Sequence, residues 1–170
     1  MAKKQSIEDL VKIELKDCRF HADCMALKVK EFRKYDKYFN IFVALISSGG
    51  ITSWIVNNDW GIYCGGAIAL SQLANALKPL FTFSKHIHTL NTRCYKQEAL
   101  FLELDNLWYE LKDGAIEKNA ARIRLNHLKQ RISENEFFDD DDEFEFSKEL
   151  LDEAARMTAD TLETKYNITD

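Results

Sequence analysis

The sequence predicts an all-α membrane protein, with a two-helix transmembrane hairpin extended into a long cytoplasmic helical bundle. Three observations predict it. Residues 38–58 carry no charged side chain, Asp59 follows, and residues 60–77 are again uncharged. Apolar residues on both sides of that block recur at alternating steps of three and four, the spacing of a helical seam. Six Gly and one Pro among 170 residues leave few loops or strand turns. By length this is one domain or one compact unit.

Residues 1–37 form a cytoplasmic amphipathic helix. Ile7, Val11, Leu15, Cys18, Ala22, Met25, Val29 and Phe32 lie on one stripe, which needs a partner surface. Ser6 is the expected N-cap, with Asp9 three residues on. Lys28, Lys30, Arg33, Lys34 and Lys37 then meet the expected membrane boundary.

The transmembrane hairpin occupies residues 38–83. Each uncharged half is near the ~20 residues a helix needs to cross ~30 Å of hydrocarbon. Asn57, Asn58 and Asp59 between them have turn chemistry. Tyr38, Trp54 and Trp60 sit near span ends, where amphipathic rings favour the headgroup level. Ser47, Ser48 and Thr52 place hydroxyls within the first span; they line a narrow polar wall or serve helix packing. Gly61, Gly65 and Ala69 form a row of small residues on the second span. Gln72 and Asn75 share its neighbouring face. An amide in hydrocarbon is costly without a partner, so these two face a second copy or reach water at the boundary. Pro79 marks a kink or break.

Lysines and arginines crowd both outer flanks of the hairpin, and its turn has none. By the positive-inside rule both termini are cytoplasmic. The net charge of −5 conceals this: residues 1–37 carry +3, Asp59 −1, residues 78–133 +4 and residues 134–170 −11.

Residues 84–133 supply the next cytoplasmic helices. The stripe Ile87, Leu90, Cys94, Gln97, Phe101, Leu104, Trp108 and Leu111 matches the N-terminal one in length and period, predicting an antiparallel pair. Asp113-Gly114 ends that helix, with Gly114 at the C′ position. A third helix over 115–133 places Ile116, Ala120, Ile123 and Ile132 on its apolar side. It also carries Lys118, Arg122, Arg124, Lys129 and Arg131. Five cations on one short helix suit an anionic ligand, a nucleotide or oligonucleotide. A solvated face, or neutralisation by the acidic tail, accounts for the same charges.

Residues 134–170 are an acidic linker and a C-terminal helix. Asp139–Asp142 disfavour regular structure by repulsion, while Phe137, Phe138, Phe144 and Phe146 could dock a groove. Their spacing lacks the alternating ligands and glycine of a calcium loop. Ser147 caps a helix through Leu162, with Leu150, Leu151, Ala154, Ala155, Thr158 and Leu162 along it.

Enzymatic chemistry is not expected. There is no phosphate-binding glycine loop and no zinc spacing, so neither catalytic residue, metal nor cofactor is assigned. Cys18, Cys24, Cys64 and Cys94 are scattered, which fits reduced thiols better than a disulfide framework. Lys3 and Lys4 precede a mixed-charge segment, so no signal peptide is expected. Asn167-Ile168-Thr169 matches a glycosylation sequon without meaning on a cytoplasmic end.

The two spans, the Asn57-Asn58-Asp59 turn and the 84–112 helix together resemble the SLATT family of prokaryotic two-span membrane effectors, with the Hailong-type channel effectors as the branch in view. The likeness covers most of residues 6–133 and rests on architecture. It implies a pore in the bacterial inner membrane that serves anti-phage defence. It implies gating by a nucleotide or DNA-oligomer signal from a partner nucleotidyltransferase, a signal that opens the pore or holds it shut. Two spans enclose no aqueous path, so conduction needs a homo-oligomer around an axis; a tetramer is favoured. The rival readings are a non-conducting membrane scaffold that recruits a partner, and a soluble bundle with 38–83 as a buried hairpin.

Overall fold

The computed structural model describes residues 6–47, 72, 83–136 and 144–166. Among these it is all-helical: α1 (Ile7–Ser47), α2 (Phe83–Lys112), α3 (Lys118–Glu136) and α4 (Lys148–Tyr166), with no strand. Of the expected spans Tyr38–Val56 and Trp60–Leu77, residues 38–47 belong to α1 and Gln72 is helical, while the rest lies outside the described residues. Among the described ones no helix is long and apolar enough to cross a membrane.

The helix ends follow local chemistry. The Ser6 amide donates to Asp9 Oδ2 at 3.2 Å, one half of a reciprocal cap. At the end of α2, Ala115 N–H bonds the Glu110 carbonyl at 2.8 Å and Gly114 N–H bonds that of Leu111 at 3.2 Å. This is a Schellman pair, and it places Gly114 at φ +69°, a region that disfavours a side chain. At α4, Ser147 Oγ accepts from the Leu150 amide at 3.3 Å, as expected of that cap.

Contacts divide the chain into two units, Lys30–His88, and Met1–Val29 with Thr89–Asp170. In the latter, α1 and α2 run antiparallel. Cys18 Sγ reaches the Gln97 carbonyl, and the Ala22 carbonyl accepts from Cys94 Sγ. The predicted α1 stripe is buried from Ile7 through Val29. One core joins Ile7, Val11, Leu15 and Cys18 of α1 to Leu104, Leu107 and Leu111 of α2, and to Ala121, Leu125 and Leu128 of α3. Each fully buried leucine contributes about 1.5–3 kcal/mol of transfer free energy. Helix α4 packs Leu150 and Ala154 on Cys24, with Phe20, Leu27 and Phe146 around them. In the Lys30–His88 unit, the Phe32 ring stacks on His86 at 5.9 Å.

Several boundaries and registers differ from expectation. Helix α1 does not stop at residue 37 but continues to Ser47; nothing in Lys37-Tyr38-Phe39 breaks a helix. Helix α3 starts at Lys118 and runs to Glu136, beyond residue 133. Its seam is Ala121, Leu125, Leu128 and Ile132, while Ile123 is 72 % exposed and Ala120 is exposed. Burial of Ala121, Leu125 and Leu128 sets this register, and the ion pairs of α3 with α2 reach across as a consequence. In α2 the core also takes Leu100 and Leu107, widening the stripe past a strict seam. In α4, Leu151 and Ala155 are exposed, and the helix continues past Leu162 to Tyr166.

Candidate functional site

The cations of α3 flank its apolar seam on two sides. At about 3.6 residues per turn, Lys118, Arg122 and Lys129 form one row, and Arg124 with Arg131 another, roughly 150° away. The structure therefore brings the five predicted ligand residues together as two rows, not as one face.

The second row is engaged with α2. Arg131 binds both oxygens of Glu103, at 2.6 and 2.8 Å, a bidentate geometry that suits guanidinium and carboxylate. Arg124 Nη1 donates to Glu110 Oε2 at 2.7 Å. The Arg131 hydrogen bond holds the Glu103 carboxyl below its ordinary range, and Glu103 in turn raises Arg131. On the other row, Lys129 pairs with Glu14 of α1. Lys118 and Arg122 are exposed, and among the described residues neither has an ion-pair partner. Three of five cations are thus neutralised by carboxylates of α1 and α2. Asp139–Asp142 of the acidic stretch lie outside the described residues.

The predicted pore face is placed as follows. Ser47 is the last residue of α1, and Gln72 is helical and exposed. Ser48, Thr52 and Asn75 lie outside the described residues.

Sequence reasoning missed two buried acids and the helix that reads them. Asp23 and Asp105 are 2 % and 7 % exposed. Asp23 accepts from Arg19, four residues back, at 2.9 Å and from Thr158 Oγ1 of α4 at 2.9 Å. Asp105 accepts from Lys165 Nζ and Tyr166 Oη, each at 2.5 Å. Burial, and then the bond to Asp105, push the Tyr166 hydroxyl well above its ordinary range. Arg19 and Lys165 both lie over the Phe101 ring, at 5.7 and 5.6 Å. Buried carboxylates persist only when hydrogen-bonded and charge-matched. The available signal was Thr158 and Tyr166, polar groups on a helix with few large apolar residues.

A third polar cluster pins the end of α3. Asn135 Nδ2 donates to the Arg93 carbonyl at 3.1 Å and to Gln97 Oε1 at 2.7 Å, while Arg93 Nη1 donates to the Asn135 carbonyl at 3.0 Å. Gln97 is fully buried, and among the described residues its Nε2 has no hydrogen-bond partner. Turning that amide over would set two donors against each other, so the Asn135 bond fixes its orientation.

Among the described residues Cys18 and Cys24 are buried and Cys94 is half-buried. Burial, followed by the neighbouring Asp23 charge, pushes Cys24 up to about 11. Cys94 is raised by burial and then by Glu98. Raised thiols make poor nucleophiles at neutral pH. Among the described residues no group of three or more His, Cys, Asp or Glu is placed to hold a metal ion. No family model, no curated protein and no solved structure matches this chain.

Proposed function

We propose that this chain acts as a homo-oligomeric pore in the bacterial inner membrane, a SLATT-type anti-phage effector whose cytoplasmic helices respond to a nucleotide or oligonucleotide signal. The observation that carries the reading is the pair of uncharged stretches, 38–58 and 60–77, flanked by cations. Helix α1 is still helical ten residues into the first stretch, at Ser47, and α2 begins at Phe83 soon after the second. Antiparallel packing of α1 on α2 suits a hairpin whose two ends return to one side. A single copy offers no aqueous path, so pore formation requires self-association, with a tetramer favoured.

The signal face narrows to Lys118 and Arg122, the two exposed cations of α3 beside Lys129. Carboxylates already hold Arg124 and Arg131, and a phosphate would have to displace them. Signal binding would bias the open and closed states only through differential affinity. The same ion pairs favour a second reading, in which the bundle is a rigid platform for a partner and the hairpin is a non-conducting anchor.

Ion flux from liposomes containing the purified chain separates the two readings. Flux that Lys118→Glu with Arg122→Glu makes insensitive to added oligonucleotide, while particle size stays constant, is expected of the pore. A monomer would sink the pore alone, and a chain released by carbonate washing would sink both.

A further inference from the structure

Residues 30–42 of α1 hold an exposed face. Val29 and Val43 are buried on the opposite side, and Phe32 and Phe39 are half-buried there. On the outer side Lys30, Lys34 and Lys37 are exposed and, among the described residues, have no ion-pair partner. Further along the helix on that side, Tyr38 is 59 %, Ile41 45 % and Phe42 54 % exposed. At about 100° per residue, Lys30, Lys34, Lys37 and Ile41 fall within roughly 60° of one another, with Tyr38 and Phe42 adjoining.

The two acids of this stretch are held along the helix. Glu31 Oε1 accepts from Tyr35 Oη at 3.3 Å, and Asp36 Oδ2 accepts from Asn40 Nδ2 at 3.0 Å. The face thus changes along its axis from lysines to rings and an aliphatic chain. Lysines reach phosphates with the ammonium while the stem covers apolar surface. Tyrosine and phenylalanine suit the depth just below, at the acyl boundary.

We propose that this face binds anionic phospholipid, the phosphates on Lys30, Lys34 and Lys37 and the acyl boundary on Tyr38, Ile41 and Phe42. The proposal rests on the membrane reading for bringing the face to a bilayer, and adds the headgroup class to it. A second copy inserted the same way round fits less well, because parallel pairing would set the same lysines against each other.

The test uses the full chain in mild detergent, titrated with phosphatidylglycerol or phosphatidylcholine, with retained lipids counted by native mass spectrometry. The chain should retain phosphatidylglycerol preferentially. Near an anionic surface each lysine is worth about 1 kcal/mol, about fivefold. Lys30→Gln, Lys34→Gln and Lys37→Gln together should therefore cut the preference on the order of a hundredfold at low salt, and less at high salt. Equal retention of the two lipids, or a preference that the triple variant keeps, overturns the proposal. So does efficient disulfide crosslinking between copies of Lys34→Cys. Carbonate washing of expressing cells separates this from the membrane reading. A resistant chain without lipid preference sinks only the lipid face, and a released chain that still selects phosphatidylglycerol sinks only the spans.

Discussion

Replacing Asn135 by alanine should destabilise the bundle far more than replacing Gln97 by leucine, although the two side chains bond each other. Asn135 Nδ2 is the donor to Gln97 Oε1 and also bonds the Arg93 carbonyl. Alanine removes both bonds and strands a fully buried amide whose Nε2 already has no partner. A lost hydrogen bond costs about 1 kcal/mol, and an acceptor left dry about 1–3 kcal/mol. The total is about 2–4 kcal/mol, which for a chain of this size lowers the melting midpoint by roughly 5–15 °C. Leucine at 97 has similar volume, deletes the stranded nitrogen, and leaves Asn135 its bond to Arg93. That change should stay within about 1.5 kcal/mol of the parent. In the Gln97→Leu background Asn135→Ala should cost less, with a coupling on the order of 1 kcal/mol. Circular dichroism melts of the four full-length proteins in mild detergent give the cycle. Equal cost of Asn135→Ala in both backgrounds, or a Gln97→Leu protein as unstable as Asn135→Ala, would refute the reasoning.

Leu104→Ala, at a fully buried position shared by α1 and α2, should lose about 2–5 kcal/mol in the same melts. Tyr166→Phe removes one of the donors to buried Asp105 and should cost about 1.5–3 kcal/mol, raising protease cleavage near α4 first. Arg131→Ala should cost under about 1 kcal/mol, since both partners are about 40 % exposed and water screens them. The Glu103 carboxyl is depressed in the fold, so its small contribution is present above the unfolded pKa and fades as pH falls through the folded one. Cys24 shifts the opposite way, to about 11. Its contribution is whole below the ordinary thiol pKa and is lost as pH rises through about 11, and iodoacetamide should label it at neutral pH only after unfolding. Rapid labelling of native protein would show that Cys24 is not enclosed.

The helices were legible because their signals are local. Ser6, Ser147 and Gly114 act on backbone groups within a few residues, and the α1 stripe repeats with a period that any partner surface would bury. The anion face was legible only as a count of cations. Charge shows in composition, but which carboxylate lies across from Arg124, Lys129 or Arg131 depends on how α3 is rotated against α1 and α2. Ile123 looked like core for the same reason: an isoleucine on a helix cannot tell from its neighbours which way the seam points.

What the chain determines alone is the run of helical segments, their caps, the α1 seam and the uncharged block between its cationic flanks, all set by propensity and period along the backbone. Only the tertiary structure decided that Asp23 and Asp105 are buried beneath α4, that Gln97 shares its amide with Asn135, and that the cations of α3 split into two rows. Those outcomes depend on groups up to 135 residues apart in sequence. Burial and pairing of a charge are properties of the partner that arrives, and no local pattern carries that information.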